Sequence, residues 1–364
     1  MFARIPPSQL RILYVAYPLL TVSEASAGGA EQVLWTLERE MARRGALTTV
    51  AASAGSRVSG ALFSTVDPCT QNDDFERRNH EHQDKIVEFV RQRKQEGRPF
   101  DLIHDMSGSF WPRGAEIETP VLATLHLPRH FYPPEYFENI PANVAFNCVS
   151  VSQARSFDGI RQVMGVVPNG IPLDRFEPND GKRQGLLWLG RICEEKGPHL
   201  ALDIAARSGW PIVIAGQVYP FSYHRRFFER EIEPRLRQNP NARWVDSPSA
   251  PLKCDLLRSA ATLLITSQVN ETSSLVAMEA GACGTPVIAF RRGALPEVVK
   301  DGVTGFVVEG IAEALDALKR LPTLSSGECH ANALLHFSPV AMADGYDLLY
   351  STLLSRRAST LNAA

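Results

Sequence analysis

Short runs of β-branched and aliphatic residues alternate with amphipathic segments along the first half of the chain. The apolar runs fall at residues 12–16, 48–52, 102–103, 121–125 and 144–151. Such alternation predicts a parallel sheet covered by helices. Between the first two runs, Val33, Leu34, Leu37 and Met41 recur at helical spacing, which predicts a helix over 29–44 with Gly45 as its stop. Residues 71–97 are strongly polar, with a stripe of Ile86, Val87, Phe89 and Val90, and read as a solvent-facing helix. His80 and His82 lie at its front, and an i, i+2 pair on a helix points apart, which disfavours a shared metal ion.

A connecting segment follows at 166–182, VVPNGIPLDRFEPNDGK, where prolines, glycines and Asx residues cluster. Beyond it the α/β pattern restarts, with strand-like runs at 186–189, 212–215, 242–245, 262–265, 287–289 and 306–308. A length of 364 residues suits two such domains, placed at 1–165 and 166–339. The last amphipathic stretch carries Met342, Tyr346, Leu348, Leu349 and Leu353 within a helix over about 340–364. It is free to pack on either domain, a return onto the first being one arrangement.

Composition narrows the class. Apolar residues at 44% and charged residues at 21% are ordinary globular values, which excludes a disordered or fibrous chain. A formal net charge of −2, with its cations spread along the chain, gives no global case for a nucleic-acid partner. The six cysteines form no C-x-x-C pair, which argues against a structural zinc or thioredoxin-like site and reads as reduced thiols. Arg11 interrupts the N-terminal apolar run, no small-residue cleavage site follows, and no run of 18 apolar residues occurs. The expected location is therefore cytoplasmic, with a peripheral membrane contact left open.

Candidate chemistry concentrates in the second half. LLWLGRICEEKGPHLALDIA reads as strand, turn and helix, which sets Arg191 and Lys196 at the carboxyl edge of a sheet, where open α/β sheets bind ligands. An Arg fork and a Lys point charge suit a diphosphate; a solvated basic turn is the plainer reading. Further on, a polar loop at 266–271 leads into a helix expected from Thr272 or Ser273 through Ala282. The amides near Ser273, Ser274 and Leu275 then form a phosphate seat. Glu271 and Glu279 bracket that helix start and address different parts of one ligand, or are simply two surface glutamates.

The ordered series G-R-x4-K-G, then NETSSLVAMEAGACGTPV, then RRGALPEVVKDGVTGFVV resembles the C-terminal domain of family-4 retaining glycosyltransferases of the GT-B fold. The first half adds AGGAEQ, DLIHDMSG, ATLHLP and VSVSQ in the expected order. The resemblance implies two Rossmann-like, doubly wound domains facing each other across a cleft, with the acceptor on the N-terminal domain and the nucleotide-sugar donor on the C-terminal one. It implies diphosphate binding by Arg191 and Lys196, ribose binding by Glu279, and a place near the donor sugar for Glu271. His126 is implied beside the transferring sugar, and Gly28 and Gly29 in the loop that turns the first helix toward phosphate and acceptor. His104 is read instead as a packed histidine supporting the sheet edge.

The implied reaction moves a hexose-type sugar, a UDP-sugar being favoured, to a carbohydrate, lipid-linked or small-molecule hydroxyl, with retention and without a metal. No Asp-x-Asp pair is present and no separate cofactor is expected. Where the family has a Phe-Gly or similar pair after the first glutamate, this chain has Ser273 and Ser274. The rival readings are a sugar-nucleotide epimerase or a phosphorylase, a silent sugar-nucleotide-binding protein, and a nicotinamide oxidoreductase. The last is disfavoured because the first strand lacks G-x-G-x-x-G.

Overall fold

The computed structural model describes residues 10–26, 28–69, 74–178 and 181–362, the last six of these as backbone only. The apolar reading before Leu10, the front of the polar 71–97 stretch, and Asn179 with Asp180 in the connecting segment lie outside it. The chain divides into two compact units, Met1–Ile171 with Pro339–Ala364, and Pro172–Ser338. The division between Ile171 and Pro172 falls inside the Pro- and Gly-rich segment, a little past the boundary expected after Gly165.

The first unit holds seven parallel strands: β1 (Arg11–Val15), β2 (Leu47–Ser53), β3 (Ala61–Val66), β4 (Leu102–Asp105), β5 (Val121–Leu125), β6 (Val144–Cys148) and β7 (Val163–Val166). Their order is β3-β2-β1-β4-β5-β6-β7, so the winding reverses between β1 and β4. Ile12 stands opposite Thr48 on one side and Leu102 on the other. Strands β1, β4, β5 and β6 are buried nearly throughout because helices cover both of their faces, and they read as short apolar runs. The apolar run expected over 144–151 is not one strand. It ends at Cys148, because the Ser150 hydroxyl accepts from the Gln153 amide at 3.2 Å and caps the helix Val151–Arg155.

Helix Gly29–Arg43 ends before Gly45, whose φ of 93° takes the chain into the left-handed region. In the polar helix Phe75–Gln95, His82 is buried, with Nδ1 2.6 Å from the Thr65 hydroxyl and Nε2 3.0 Å from the Ala16 carbonyl. His80 faces Asp84 at 3.5 Å.

The terminal helix Pro339–Asn362 belongs to this unit. Tyr346 and Tyr350 enter a buried network in which His104 Nδ1 meets the Tyr350 hydroxyl and His104 Nε2 meets the Thr124 hydroxyl, both at 2.7 Å. The Tyr346 hydroxyl lies 3.1 Å from that of Thr124. Arg44 donates to Asp344 and Asp347 on the same helix, at 2.8 and 2.6 Å. Leu348, read from its spacing as part of the apolar face, is exposed. His104 lies on β4 between β1 and β5, one residue from the strand's carboxyl end, as a packed histidine.

The second unit holds six parallel strands: β8 (Leu186–Leu189), β9 (Ile212–Ala215), β10 (Ala242–Val245), β11 (Thr262–Ile265), β12 (Val287–Phe290) and β13 (Gly305–Val308). The order is β10-β9-β8-β11-β12-β13, reversing between β8 and β11. Its core gathers Trp188, Ile192, Leu202, Ile214, Leu264 and Phe306. Among the described residues, no helix is long and apolar enough to cross a membrane.

Candidate functional site

The loops that leave β8 and β11 emerge side by side where the strand order reverses, the position at which open α/β sheets form a ligand crevice. A cavity of about 140 Å³ lies there, lined by Gly190, Lys196, Ser267, Glu271, Ser273 and Leu275 among others. Two backbone constraints shape it. Gly197 has a φ of 70°, and a Cβ there would sit 2.0 Å from the Thr266 carbonyl oxygen, so the two loops meet at a residue that tolerates no side chain. At Gly293, with φ 57°, a Cβ would lie 2.2 Å from the Glu271 carbonyl oxygen, and the Ala294 amide donates to that oxygen at 2.8 Å. Glu271 is therefore held in an extended bridge with Gly293, ahead of the helix.

Lys196 Nζ donates to both Glu271 carboxylate oxygens, at 2.7 and 2.8 Å. The helix opens at Leu275, later than Thr272 or Ser273, because Ser274 keeps an extended backbone and its hydroxyl accepts from the Ala277 amide at 3.4 Å. Leu275 and Val276 hold the first two helical positions, whose amides have no partner inside the helix, and both line the cavity beside Ser274. The Ser273 hydroxyl is buried and has no hydrogen-bond partner among the described residues.

Glu279 is placed differently from Glu271. It is 2% exposed, Lys253 Nζ donates to its Oε1 at 2.6 Å, and its Oε2 is buried without a partner among the described residues. Lys253 also stands 5.5 Å from the centre of the Phe176 ring. Sequence reasoning does not find Lys253, because it lies on the separate helix Ala250–Ser259 and nothing in its neighbours marks it. Arg191 is not among the residues lining the cavity; it reaches Glu195 at 3.6 Å and lies over the Tyr219 ring.

Gly28, Gly29 and His126 lie in the first unit. Gly28 is the N-cap of helix Gly29–Arg43 and has no side chain to cap it. The carboxylate of Glu31 folds back so closely that a Cβ on Gly28 would lie 2.0 Å from it. Burial pushes the Glu31 carboxyl above its ordinary range. Glu31 stands in the first turn of this helix, where an acidic residue is the usual complement of a helix dipole.

His126 follows β5 directly. Gln153 Nε2 clamps its neighbours by donating to the carbonyls of Leu125 and Leu127, at 2.6 and 2.9 Å. Burial pushes the His126 pKa down to about 4, so the ring is neutral near pH 7.

Residues 172–328 match the family model described as glycosyl transferases group 1. Over 215 residues the chain is 34% identical to a D-inositol 3-phosphate glycosyltransferase of Geodermatophilus obscurus, covering 46% of this chain and 43% of that one. The relative from Mycolicibacterium paratuberculosis is 33% identical over 194 residues, covering 47% and 42%. The matches thus span less than half the length of these curated relatives. Among solved structures, AviGT4, a glycosyltransferase involved in avilamycin A biosynthesis, superposes with a TM-score of 0.71 at 21% identity, over 95% of this chain and 98% of that one. Anabaena HepE in complex with UDP and glucose gives 0.72 at 16% identity, over 94% and 100%.

The chain has the GT-B fold. The segment 172–328 that matches the group 1 model contains every cavity-lining residue named above, together with Arg191, Lys253 and Glu279. The N-terminal GT-B unit carries Gly28, Gly29 and His126 outside the matched segment.

Proposed function

We propose that the protein is a retaining glycosyltransferase that takes a sugar from a nucleoside-diphosphate sugar, a UDP-sugar in the favoured case, and delivers it to a hydroxyl group. The observation that carries this reading is the cavity at the reversal point of the second sheet, where Lys196, Glu271 and the first amides of helix Leu275–Ala282 converge. The helix start and the Lys196 ammonium stabilise a diphosphate. Arg191, exposed beside the same loop, adds a second cation. Glu279, with one oxygen satisfied by Lys253 and the other without a partner among the described residues, accepts a hydrogen bond from a ribose hydroxyl.

In the transfer, the bond from the anomeric carbon to the diphosphate oxygen breaks, and the acceptor oxygen bonds to the same face of the sugar. The acceptor proton passes to the departing phosphate oxygen, so no separate base is needed. Charge on the leaving group is offset by Lys196, Arg191 and the helix dipole, without a metal ion in this step. His126, neutral and held by its clamped loop, serves a sugar hydroxyl, and Gly28 with Gly29 leaves the first helix open toward the acceptor side. The acceptor class stays a carbohydrate, lipid-linked or small-molecule hydroxyl, and the enzyme works in the cytoplasm or at a membrane surface.

Calorimetric titration with UDP, GDP, ADP and dTDP tests the donor assignment. One nucleotide binds the wild-type protein, and Lys196→Ala weakens it by roughly tenfold or more, as expected for the loss of a charge-assisted contact. Unchanged affinity in Lys196→Ala removes the assignment. Mass spectrometry of the UDP-sugar incubated with protein then separates a transferase, which releases UDP, from a silent binder.

A further inference from the structure

The loop between β8 and helix Pro198–Ser208 carries a second cluster beside the diphosphate cations. Cys193 and Glu195 lie on this loop, and His224 comes from the short helix Ser222–Phe227 that follows β9. The thiol sulfur, a carboxylate oxygen and an imidazole nitrogen all lie within 4.8 Å of one another. Cys193 and His224 are buried, at 0% and 1% exposure, while Glu195 is partly open to solvent.

His224 carries the independent signal. Both of its ring nitrogens are buried, and neither has a hydrogen-bond partner among the described residues. The rings of Tyr219, Phe221 and Tyr223 pack around it, with centroids 6.1, 5.5 and 4.3 Å away. Buried imidazole nitrogens are ordinarily satisfied. A metal ion at the centre of the trio would occupy one of them.

We propose that Cys193, Glu195 and His224 form a zinc site that ties the β8 loop to the segment after β9. Thiolate, carboxylate and imidazole together match the ligand preferences of Zn²⁺, and three protein ligands leave a fourth position open. Zinc bonds of about 2.0–2.3 Å require the three donor atoms to close in by side-chain rotation from their present separations. Thiolate and carboxylate together balance the charge of the ion. Arg191, 3.6 Å from Glu195, stays on the exposed side over Tyr219. The site does not depend on the donor assignment, and it takes no part in the transfer step. Its role is to hold the loop from which Arg191 and Lys196 project.

The test uses the full chain, stripped with a chelator and titrated with Zn²⁺ by calorimetry and with Co²⁺ by absorption. One equivalent of each should bind, and cobalt should show a thiolate charge-transfer band in the near ultraviolet. Cys193→Ser should lose that band, and both Cys193→Ser and His224→Ala, checked for folding by circular dichroism, should bind zinc more weakly by about 100-fold or more, since loss of even an outer-shell partner costs about 10–100-fold. Unchanged zinc affinity in both variants overturns the proposal. Should a variant not fold, X-ray absorption on the zinc-loaded wild type decides. One sulfur and at least one imidazole in the shell support the site, and a shell without sulfur overturns it. Lys196→Ala should leave zinc binding unchanged, which keeps failure here distinct from failure of the donor reading.

Discussion

At the scale of single residues, two adjacent serines do different work. Ser274 caps helix Leu275–Ala282, so Ser274→Ala should lower stability by about 1 kcal/mol, read from denaturant unfolding. The Ser273 hydroxyl finds no partner among the described residues. Ser273→Ala should therefore leave the unfolding midpoint unchanged or slightly raised, and should weaken nucleotide binding if that hydroxyl serves the ligand. A stability loss in Ser273→Ala equal to that in Ser274→Ala would show the hydroxyl to be structural. The sequence placed both residues at the head of a helix, but their division of labour depends on backbone angles that residue types alone do not specify. Lys253 is a further case. Removing it strands the buried Glu279 carboxylate, and Lys253→Ala should cost about 1–3 kcal/mol, measured by denaturant unfolding without ligand.

At the scale of elements, the terminal helix is anchored by polar contacts as much as by apolar ones. Tyr350→Phe removes the partner of His104 Nδ1 and should cost about 1–3 kcal/mol, seen as a lower Tm. A variant as stable as wild type would mean that His104 finds another partner. Strand positions in the second unit were legible in the sequence: β8, β9, β11, β12 and β13 are mostly buried and read as short apolar runs between turn residues, and the half-buried edge strand β10 keeps Trp244 and Val245 between turn residues. Strands β3 and β7 were not. Both lie at edges of the first sheet, where β3 is largely exposed and β7 half-buried, so neither presents an unbroken apolar run. The destination of the terminal helix was also open, since its apolar face fits any matching surface and its partners Arg44 and His104 are distant in sequence.

At the scale of the whole molecule, three histidines of the first unit make stability depend on pH. Burial pushes His82 and His126 down to about 4 and holds His104 well below its ordinary value. Below about pH 6.5 the unfolded chain takes up protons that the folded unit refuses, so stability falls as pH drops. His82 and His126 each account for about 1.3 kcal/mol between pH 7.5 and 5.5, and His104 acts in the same direction. The buried carboxyls of Glu31 and Asp105, raised by burial, act in the opposite sense. The comparison of His82→Gln with wild type isolates one histidine: the Tm difference between the two pH values should narrow in the variant, and an unchanged difference would refute the assignment. Residue order alone determined the two α/β units, the connecting segment and the series of motifs, because periodicity and turn chemistry are local properties. Only the tertiary structure decided that Lys196 pairs with Glu271, that Lys253 meets Glu279, and that Cys193, Glu195 and His224 converge. Those contacts form between segments that follow different strands, and the winding of the sheet, not the spacing of residues along the chain, brings them together.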